Sequence, residues 1–377
     1  MNILFILQNY KIGGVETVTH VLANKFAKEG HNCNILSLNT PKEEEEIHPI
    51  LSQTIDVSII NTKTLSKRET ICQLRELLTN KKIDVIINQN GHLYKVTSLI
   101  KKASASLNIK ILTVLHNTPN FGLKYRYKNN IIDKLKYYKN LLKLCYTYRS
   151  SYRNSDKYIL LSESFIPEFK EISRLKDLSK IIAIANPITI DHNGFKYNFE
   201  KKKKQIIFVG RLDRTQKRIE RILSVWNRLY TTFPDWSLIL VGDGPDMPRL
   251  KQITKDKRIK SIEFAGFKNP KPYYEDASIL LLTSDFEGFP LILAESMTFG
   301  VMPLVYGSYA AAYDIISDNH SGIISKPNNG FDEDDFTNKL KSVLESTTLR
   351  KELSRNAIVE SKNYSISKIY EKWLDIL

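Results

Sequence analysis

Residues 279–300 read ILLLTSDFEGFPLILAESMTFG, and their pattern decides the fold. The apolar run Ile279 to Leu282 is short and bounded by polar residues, as a strand buried on both faces is. The chain then turns at Gly288; Pro290 stands where the first turn of a helix tolerates it, and Gly300 stands where a helix ends. A buried strand feeding directly into a helix is the repeating unit of a parallel α/β sheet. Glu287 falls on the turn and Glu295 inside the helix. At about 1.5 Å of rise per residue the two carboxylates are on the order of 10 Å apart, roughly the span of a nucleoside-diphosphate-linked sugar. The free amides of the helix's first turn lie between them, where a pyrophosphate binds.

The same alternation extends outward in both directions. Upstream, strands are expected at 205–210, 237–242 and 262–266, with helices over 217–230, 247–254 and 272–277; downstream come a strand at 302–307 and a helix at 312–317. The first half repeats the theme. ILFIL near the start is a strand, QNYKIGG a turn, and Val15, Val18, Leu22 and Phe26 mark one face of a helix ending near Gly30. Strands follow at 33–38, 57–60, 84–89, 110–116 and 157–162, with another ending at Pro187, and helices are expected over 70–78 and 93–103. The run Glu43 to Glu46 reads as a solvated loop. Each half is therefore a doubly wound α/β domain. The expected division is a first domain over 1–190, a polar linker over 191–204 closing in four lysines, and a second domain over 205–362. Residues 363–377 form a last helix that packs back on the first domain.

A chain of 377 residues, 42 % of them hydrophobic, is long enough for two cores. Cys33, Cys72 and Cys145 are too widely spaced for a CxxC pair, which argues against a disulfide framework or a thiolate zinc site and fits a reducing cytoplasm. No apolar run approaches the roughly 20 residues that span a bilayer. The apolar start, Ile3 to Leu7, is short and lacks preceding basic residues, so it reads as a strand and not as a signal peptide. The net charge of +15 suits nucleic acid, an anionic membrane surface or a phosphate-bearing substrate. Nucleic-acid binding is disfavoured, because the basic stretches contain no recognition module.

In open α/β sheets ligands bind beyond the carboxyl ends of the strands, so the loops that follow strands hold the candidate residues. Gly13 and Gly14, with Glu16 behind them, permit close backbone approach and positive φ at a helix start; a plain turn is the alternative. Their spacing is not GxGxxG, so the dinucleotide fingerprint is absent. His116, followed by Asn117, ends a strand and is either a site residue or a satisfied core histidine. Gly210, Arg211 and Asp213, with Lys217 beyond them, offer a planar fork and a point charge to a diphosphate. Arg214, Arg218 and Arg221 read as solvated helix residues, and Gly242 to Pro245 as a structural turn. Gly266 and Phe267 end a strand where a nucleotide base could lie. Glu287 and Glu295 are too far apart for a retaining glycosidase pair, which needs about 5 Å, and a hydroxyl-binding role suits each better.

Together these residues resemble the retaining glycosyltransferases of family 4. The resemblance rests on GGVE at 13–16, HN at 116–117, NP at 186–187, GRLDRTQK at 210–217, VGDGP at 241–245, FAGF at 264–267 and, above all, the E-x7-E pattern in FEGFPLILAES. It implies the GT-B architecture, two facing Rossmann-like domains with a cleft between them. It implies that Arg211 and Lys217 neutralise a departing diphosphate and that Glu287 holds hydroxyls of the donor sugar. Glu295 would hold the ribose. Gly13, Gly14, Gly210, Phe267, Phe289, Pro290 and Leu291 would line the donor site, Pro290 without an amide to give. His116 would lie near the transferred sugar, with Asn117 and Glu16 on the acceptor side. The donor implied is a nucleotide-diphosphate sugar, commonly of UDP, carrying a hexose or N-acetylhexosamine. No cofactor and no metal are implied, and no DxD pattern stands at a strand end. One departure is the loop GSYAAAYDII at 307–316, where Asp314 replaces the usual glutamate.

The segment 121–153, FGLKYRYKNNIIDKLKYYKNLLKLCYTYRSSYR, is rich in Lys, Arg and Tyr, and Ile131, Leu135, Tyr138, Leu142 and Cys145 recur at helical spacing. A solvated helix is one reading; a helix resting on an anionic bilayer and presenting a lipid-linked glycan acceptor is the other. The expected setting is then the cytoplasm, at the inner face of the cell membrane. A sugar-nucleotide epimerase or hydrolase of the same fold and a non-catalytic nucleotide-sugar-binding subunit are the competing functions.

Overall fold

The computed structural model describes residues 1–10, 13–39, 55–63, 65–121, 123 and 131–377. The run Glu43 to Glu46 and the start of the Lys- and Tyr-rich segment, 124–130, lie outside these residues. Two compact units are present, Met1–Thr189 with Ile366–Leu377, and Ile190–Ser365.

The first unit runs β1 (Asn2–Leu7), α1 (Gly14–Lys28), β2 (Asn32–Ser37), β3 (Asp56–Ile59), α2 (Lys67–Asn80), β4 (Val85–Asn88), α3 (Tyr94–Ala103), β5 (Lys110–Leu115), α4 (Ile131–Arg153), β6 (Lys157–Leu160), α5 (Ile166–Ser173) and β7 (Ile181–Ala183). Its sheet is parallel, in the order β3-β2-β1-β4-β5-β6-β7. Ile3, Leu4, Phe5 and Ile6 of β1 are all fully buried, so helices cover both faces, as continuous apolar strands require.

The second unit runs β8 (Gln205–Val209), α6 (Ile219–Leu229), β9 (Ser237–Val241), α7 (Met247–Asp256), β10 (Ile262–Gly266), α8 (Lys271–Asp276), β11 (Ile279–Leu282), α9 (Leu291–Thr298), β12 (Met302–Tyr306), α10 (Ala311–Ile315), β13 (Ile323–Ser325), α11 (Glu333–Glu345) and α12 (Thr347–Ser361). Its parallel sheet has the order β10-β9-β8-β11-β12-β13. The α6 face formed by Ile219, Ile222, Leu223 and Trp226 is fully buried, which accounts for its helical spacing.

The strand order reverses between β1 and β4 in the first sheet and between β8 and β11 in the second. The loops that leave those four strands lie at the carboxyl edges of the sheets, where such folds bind ligands, and they carry residues 8–10 and 13, 89–93, 210–218 and 283–290.

The helix that closes the chain, α13 (Ile366–Leu374), belongs to the first unit. Tyr370 lays its ring 5.0 Å from that of Phe26 on α1, and the Lys110 amine donates to the carbonyl of Leu377 at 3.0 Å. The passage 191–204, read as a linker, packs within the second unit. Tyr197 lies where a side chain on Gly300 would sit, its ring 2.3 Å from that position. Lys202 donates to the carbonyls of Tyr274 at 2.6 Å and Glu275 at 3.0 Å, and burial pushes its amine down to about 7. Polar composition marked this passage as a linker because its anchors, the rings of Tyr197 and Phe195 and the stem of Lys202, are scattered and do not show as periodicity. Helix α5 and strand β13 were also unexpected; each is short, and short elements leave little pattern.

Candidate functional site

The two loops at the switch point of the second sheet are tied together by backbone and side chain. The amide of Asp285 donates to the carbonyl of Gln216 at 2.8 Å, and the Thr283 hydroxyl donates to the carbonyl of Arg218 at 3.2 Å. This brings the Lys217 amine within 2.6 Å of the Glu287 carboxylate. Gln216 donates to the other carboxylate oxygen at 3.1 Å. The side chains of Lys217 and Glu287 are 14 % and 7 % exposed, so the pair sits where water screens it weakly. Helix α9 begins just beyond, at Leu291 after Pro290, and no side chain among the described residues caps its amino end. A cation, a carboxylate and uncapped helix amides thus gather at the ends of two neighbouring strands, β8 and β11, an arrangement that takes both phosphate and hydroxyl groups.

Close-approach glycines shape the floor. Gly242 has φ +144°, and a methyl there would lie 1.9 Å from the carbonyl oxygen of Gly210; a methyl on Gly244 would lie 2.3 Å from that of Leu212. The loop carrying Gly210 and Arg211 therefore rests backbone to backbone on the turn after β9, with the Leu212 amide donating to the Asp243 carbonyl at 2.9 Å. Arg211 is 64 % exposed and 3.6 Å from Asp213, leaving its guanidinium able to swing. Glu295 is buried in α9 and accepts from the Tyr274 hydroxyl at 3.4 Å; burial, then that carboxylate, holds the Tyr274 phenol far above its usual range. Phe289 is buried against Tyr364, ring centroids 5.3 Å apart, and Phe267 beyond β10 is 74 % exposed. Asp314 lies exposed on α10.

In the first unit, His116 and Asn117 follow β5 and are half-buried. The ring nitrogen Nε2 of His116 is 2.6 Å from Oε1 of Gln89, and burial, then His92, pushes the ring down to about 3, so it is neutral. The loop is braced from below: Thr118 and Asn120 donate to Glu168 of α5, and the Tyr148 hydroxyl of α4 donates to the Pro119 carbonyl at 2.6 Å. Gly13 is extended at φ −173° and Gly14 opens α1, so neither supplies the positive φ expected of them. Gly13 instead makes room for the Glu16 carboxylate, which lies 2.4 Å from where its side chain would be.

Within the second unit the structure thus unites Gly210, Lys217 and Glu287. Sequence reasoning missed Gln216, Gln89 and Tyr309. Tyr309 is buried on the loop after β12, its hydroxyl has no partner among the described residues, and burial with the Glu287 charge keeps its phenol protonated. Arg221 was expected to be solvated, yet it pairs with Asp285 at 2.6 Å and lies over the rings of Tyr306 and Phe331. Its periodicity on α6 is that of a polar face, and only the tertiary neighbours show what that face meets.

The amino-terminal part of α4 stands apart from the core. Ile131, Leu135, Tyr138 and Leu142 are 61–78 % exposed, with Lys134, Lys136, Lys139 and Lys143 exposed beside them. Only Thr147, Tyr148, Ser151 and Tyr152 near its carboxyl end are buried. The helical spacing is real, but its apolar row faces outward. No helix among the described residues is long and apolar enough to cross a membrane.

Two family profiles match consecutive parts of the chain: Glycosyltransferase Family 4 over residues 12–192, and Glycosyl transferases group 1 over residues 189–359. An uncharacterized glycosyltransferase of Haemophilus influenzae is 27 % identical over 99 % of this chain and 98 % of its own. A Campylobacter jejuni enzyme is 28 % identical over 100 % of this chain and 98 % of its own; it is the alpha-1,4-N-acetyl-D-galactosaminyltransferase named for GalNAc-alpha-(1->4)-GalNAc-alpha-(1->3)-diNAcBac-PP-undecaprenol. Among solved structures, Anabaena HepE in complex with UDP superposes with a TM-score of 0.77 at 16 % identity, covering 100 % of this chain and 99 % of that one. The apo lipopolysaccharide outer core galactosyltransferase WaaB superposes with a TM-score of 0.72 at 18 % identity, covering 100 % and 98 %.

Proposed function

The chain belongs to the GT-B glycosyltransferases of family 4, and from that premise we propose that it transfers a hexose or N-acetylhexosamine from a UDP-sugar, with retention, to a lipid-linked glycan in bacterial surface-polysaccharide synthesis. The observation that carries the proposal is the buried Lys217–Glu287 pair beside the uncapped start of α9. In the transfer the bond from the sugar's anomeric carbon to the phosphate oxygen breaks, and a bond to the acceptor oxygen forms on the same face. The acceptor's hydroxyl proton passes to the departing phosphate. Negative charge grows on that phosphate, and cations already fixed in place lower its energy without reorganising. Lys217 is held ready by Glu287, and Arg211 is free to close over the diphosphate. Glu287 takes donor-sugar hydroxyls, Glu295 the ribose, and the amides of Phe289 and Leu291 the phosphates. Lys217 and Arg211 supply the positive charge for a metal-independent departure.

In this reading His116, Asn117 and Glu16 take the acceptor, and Gly13 and Gly14 take part in donor binding. A neutral His116 suits hydroxyl binding, since it adds no charge beside the sugar. UDP as the donor nucleotide is supported by the HepE complex, and a lipid-linked acceptor by the Campylobacter relative. The outward row of α4 supports contact with an anionic bilayer, where apolar side chains enter the headgroup boundary and lysines meet phosphate.

The test is UDP release from a panel of UDP-sugars, with and without an undecaprenyl-diphosphate-linked glycan. Acceptor-dependent release that disappears in Glu287→Ala supports the proposal. Release of free sugar at the same rate with or without acceptor would make the chain a hydrolase instead.

A further inference from the structure

Gln89 is the first residue beyond β4, at the switch point of the first sheet, and it is 3 % exposed. Its backbone is fixed by a bond from its amide to the carbonyl of Ile6 at 3.0 Å. Two residues on, the amide of Gly91 donates to the carbonyl of Val114 at 2.9 Å, and a methyl on Gly91 would lie 2.6 Å from that oxygen. The Tyr158 hydroxyl closes the frame by donating to the Gly91 carbonyl at 2.9 Å. The loop after β4 is thus pressed against β5, which fixes residue 89 relative to residue 116.

Among the described residues the side chain makes one hydrogen bond, to Nε2 of His116 at 2.6 Å, and its amide nitrogen is buried without a partner. Burying an amide with its donors unused is unfavourable, and leucine or methionine would fill the same space without that cost. The neighbouring Asn88 and Asn90 behave differently. Asn90 donates to the Ile6 carbonyl at 3.0 Å and Asn88 to Thr97 at 3.2 Å, so both belong to a paired network. Packing does not account for Gln89; its bond to the ring does.

We propose that Gln89 is a positioning residue for the acceptor side, one that holds His116 in the neutral tautomer with hydrogen on Nε2. Its carbonyl oxygen accepts that hydrogen and leaves the lone pair on Nδ1. His116 then offers Nδ1 as an acceptor for a hydroxyl hydrogen of a bound sugar. The titratable group acting on the ring among the described residues is His92, and its influence also favours the neutral form. The inference rests on the proposed role of His116 in transfer.

Nitrogen NMR on the full chain with labelled histidine reads the tautomer directly. Wild type is expected to show hydrogen on Nε2 of His116, and Gln89→Leu a mixture of both neutral forms. The variant should fold about as well as wild type, since losing an unpaired amide offsets the acceptor lost to the His116 ring. Its kcat should fall about tenfold, the worth of one such hydrogen bond, with KM for the UDP-sugar unchanged. Gln89→Glu places a carboxylate at the same distance, and the acid limb of its pH–rate profile should move up toward the ordinary histidine range. An unchanged tautomer and unchanged kcat in Gln89→Leu would overturn the role of Gln89, as would an unshifted profile in Gln89→Glu. If His116→Ala itself transfers sugar at the wild-type rate, the acceptor-side reading fails instead, and the NMR result still decides whether Gln89 sets the tautomer.

Discussion

Replacing Lys217 by methionine separates the two things that residue does. The substitution keeps most of the aliphatic volume but takes the cation from a carboxylate whose side chain is 7 % exposed. Glu287 loses its 2.6 Å charge-assisted bond and keeps the 3.1 Å bond from Gln216. Stripping one partner from a buried ion pair costs about 3–5 kcal/mol; the surviving Gln216 bond places this case at the lower end, about 3 kcal/mol. For a unit of this size that is a fall in Tm of about 6–12 °C. Adding Glu287→Gln removes the uncompensated charge, so the double variant should return to within about 1 kcal/mol of wild type. Transfer should not return with it. Losing the cation that meets the departing diphosphate leaves the rate at least about 100-fold down, equivalent to roughly 2.7 kcal/mol of barrier. Urea unfolding and UDP-release kinetics on the same preparations provide both numbers. A single variant as stable as wild type would refute the buried pair, and a double variant that regains activity along with stability would refute a role for Lys217 in the chemistry.

Other perturbations follow from the same geometry. His116 has a folded value of about 3 against an ordinary 6.5, so the unfolded chain binds its proton first; this contribution to stability is complete above about pH 6.5 and shrinks as the pH falls toward 3. At about pH 5 the loss is at most about 2 kcal/mol, reduced by the ring's residual solvent contact, and hydrogen exchange of β5 peptides should show it in wild type but not in His116→Gln. Gly242→Ala must clear a carbonyl 1.9 Å away at φ +144°, whereas Gly30→Ala, at φ +87° with nothing within 4 Å, meets only backbone strain. Thermal unfolding should therefore show a loss above about 3 kcal/mol for the first and about 1 kcal/mol for the second. Charge reversal of Lys134, Lys136 and Lys139 should weaken binding to anionic vesicles by at least about 1 kcal/mol per lysine, and cosedimentation that does not change would remove α4 from the membrane account.

Much of the fold is legible in the sequence. The buried strands, the strand-to-helix turn at Gly288 and the end at Gly300 follow from local rules, since strand periodicity, proline and glycine act within a few residues. The family resemblance placed Lys217 and Glu287 in one site, but their direct contact could not be read, because it joins loops after two strands that are neighbours only in the folded sheet. Gln89 was invisible for the same reason. A glutamine after a strand has no local signal, and its meaning comes from a histidine one strand over. The row of Ile131, Leu135, Tyr138 and Leu142 gave the helix correctly while leaving open which way it faces, since periodicity marks a face and not what covers it. Segment 191–204 erred in the opposite direction, a polar stretch held down by Tyr197 and Lys202.

The central claim is retaining transfer from a UDP-sugar through the Lys217–Glu287 site. The measurement that tests it most directly is the anomeric configuration of the glycan formed on a lipid-diphosphate acceptor from an α-configured UDP-sugar, read by NMR alongside UDP release. The account predicts an α-linked product that is lost in Glu287→Ala; a β-linked product, or an α-linked product formed equally well by Glu287→Ala, would contradict it.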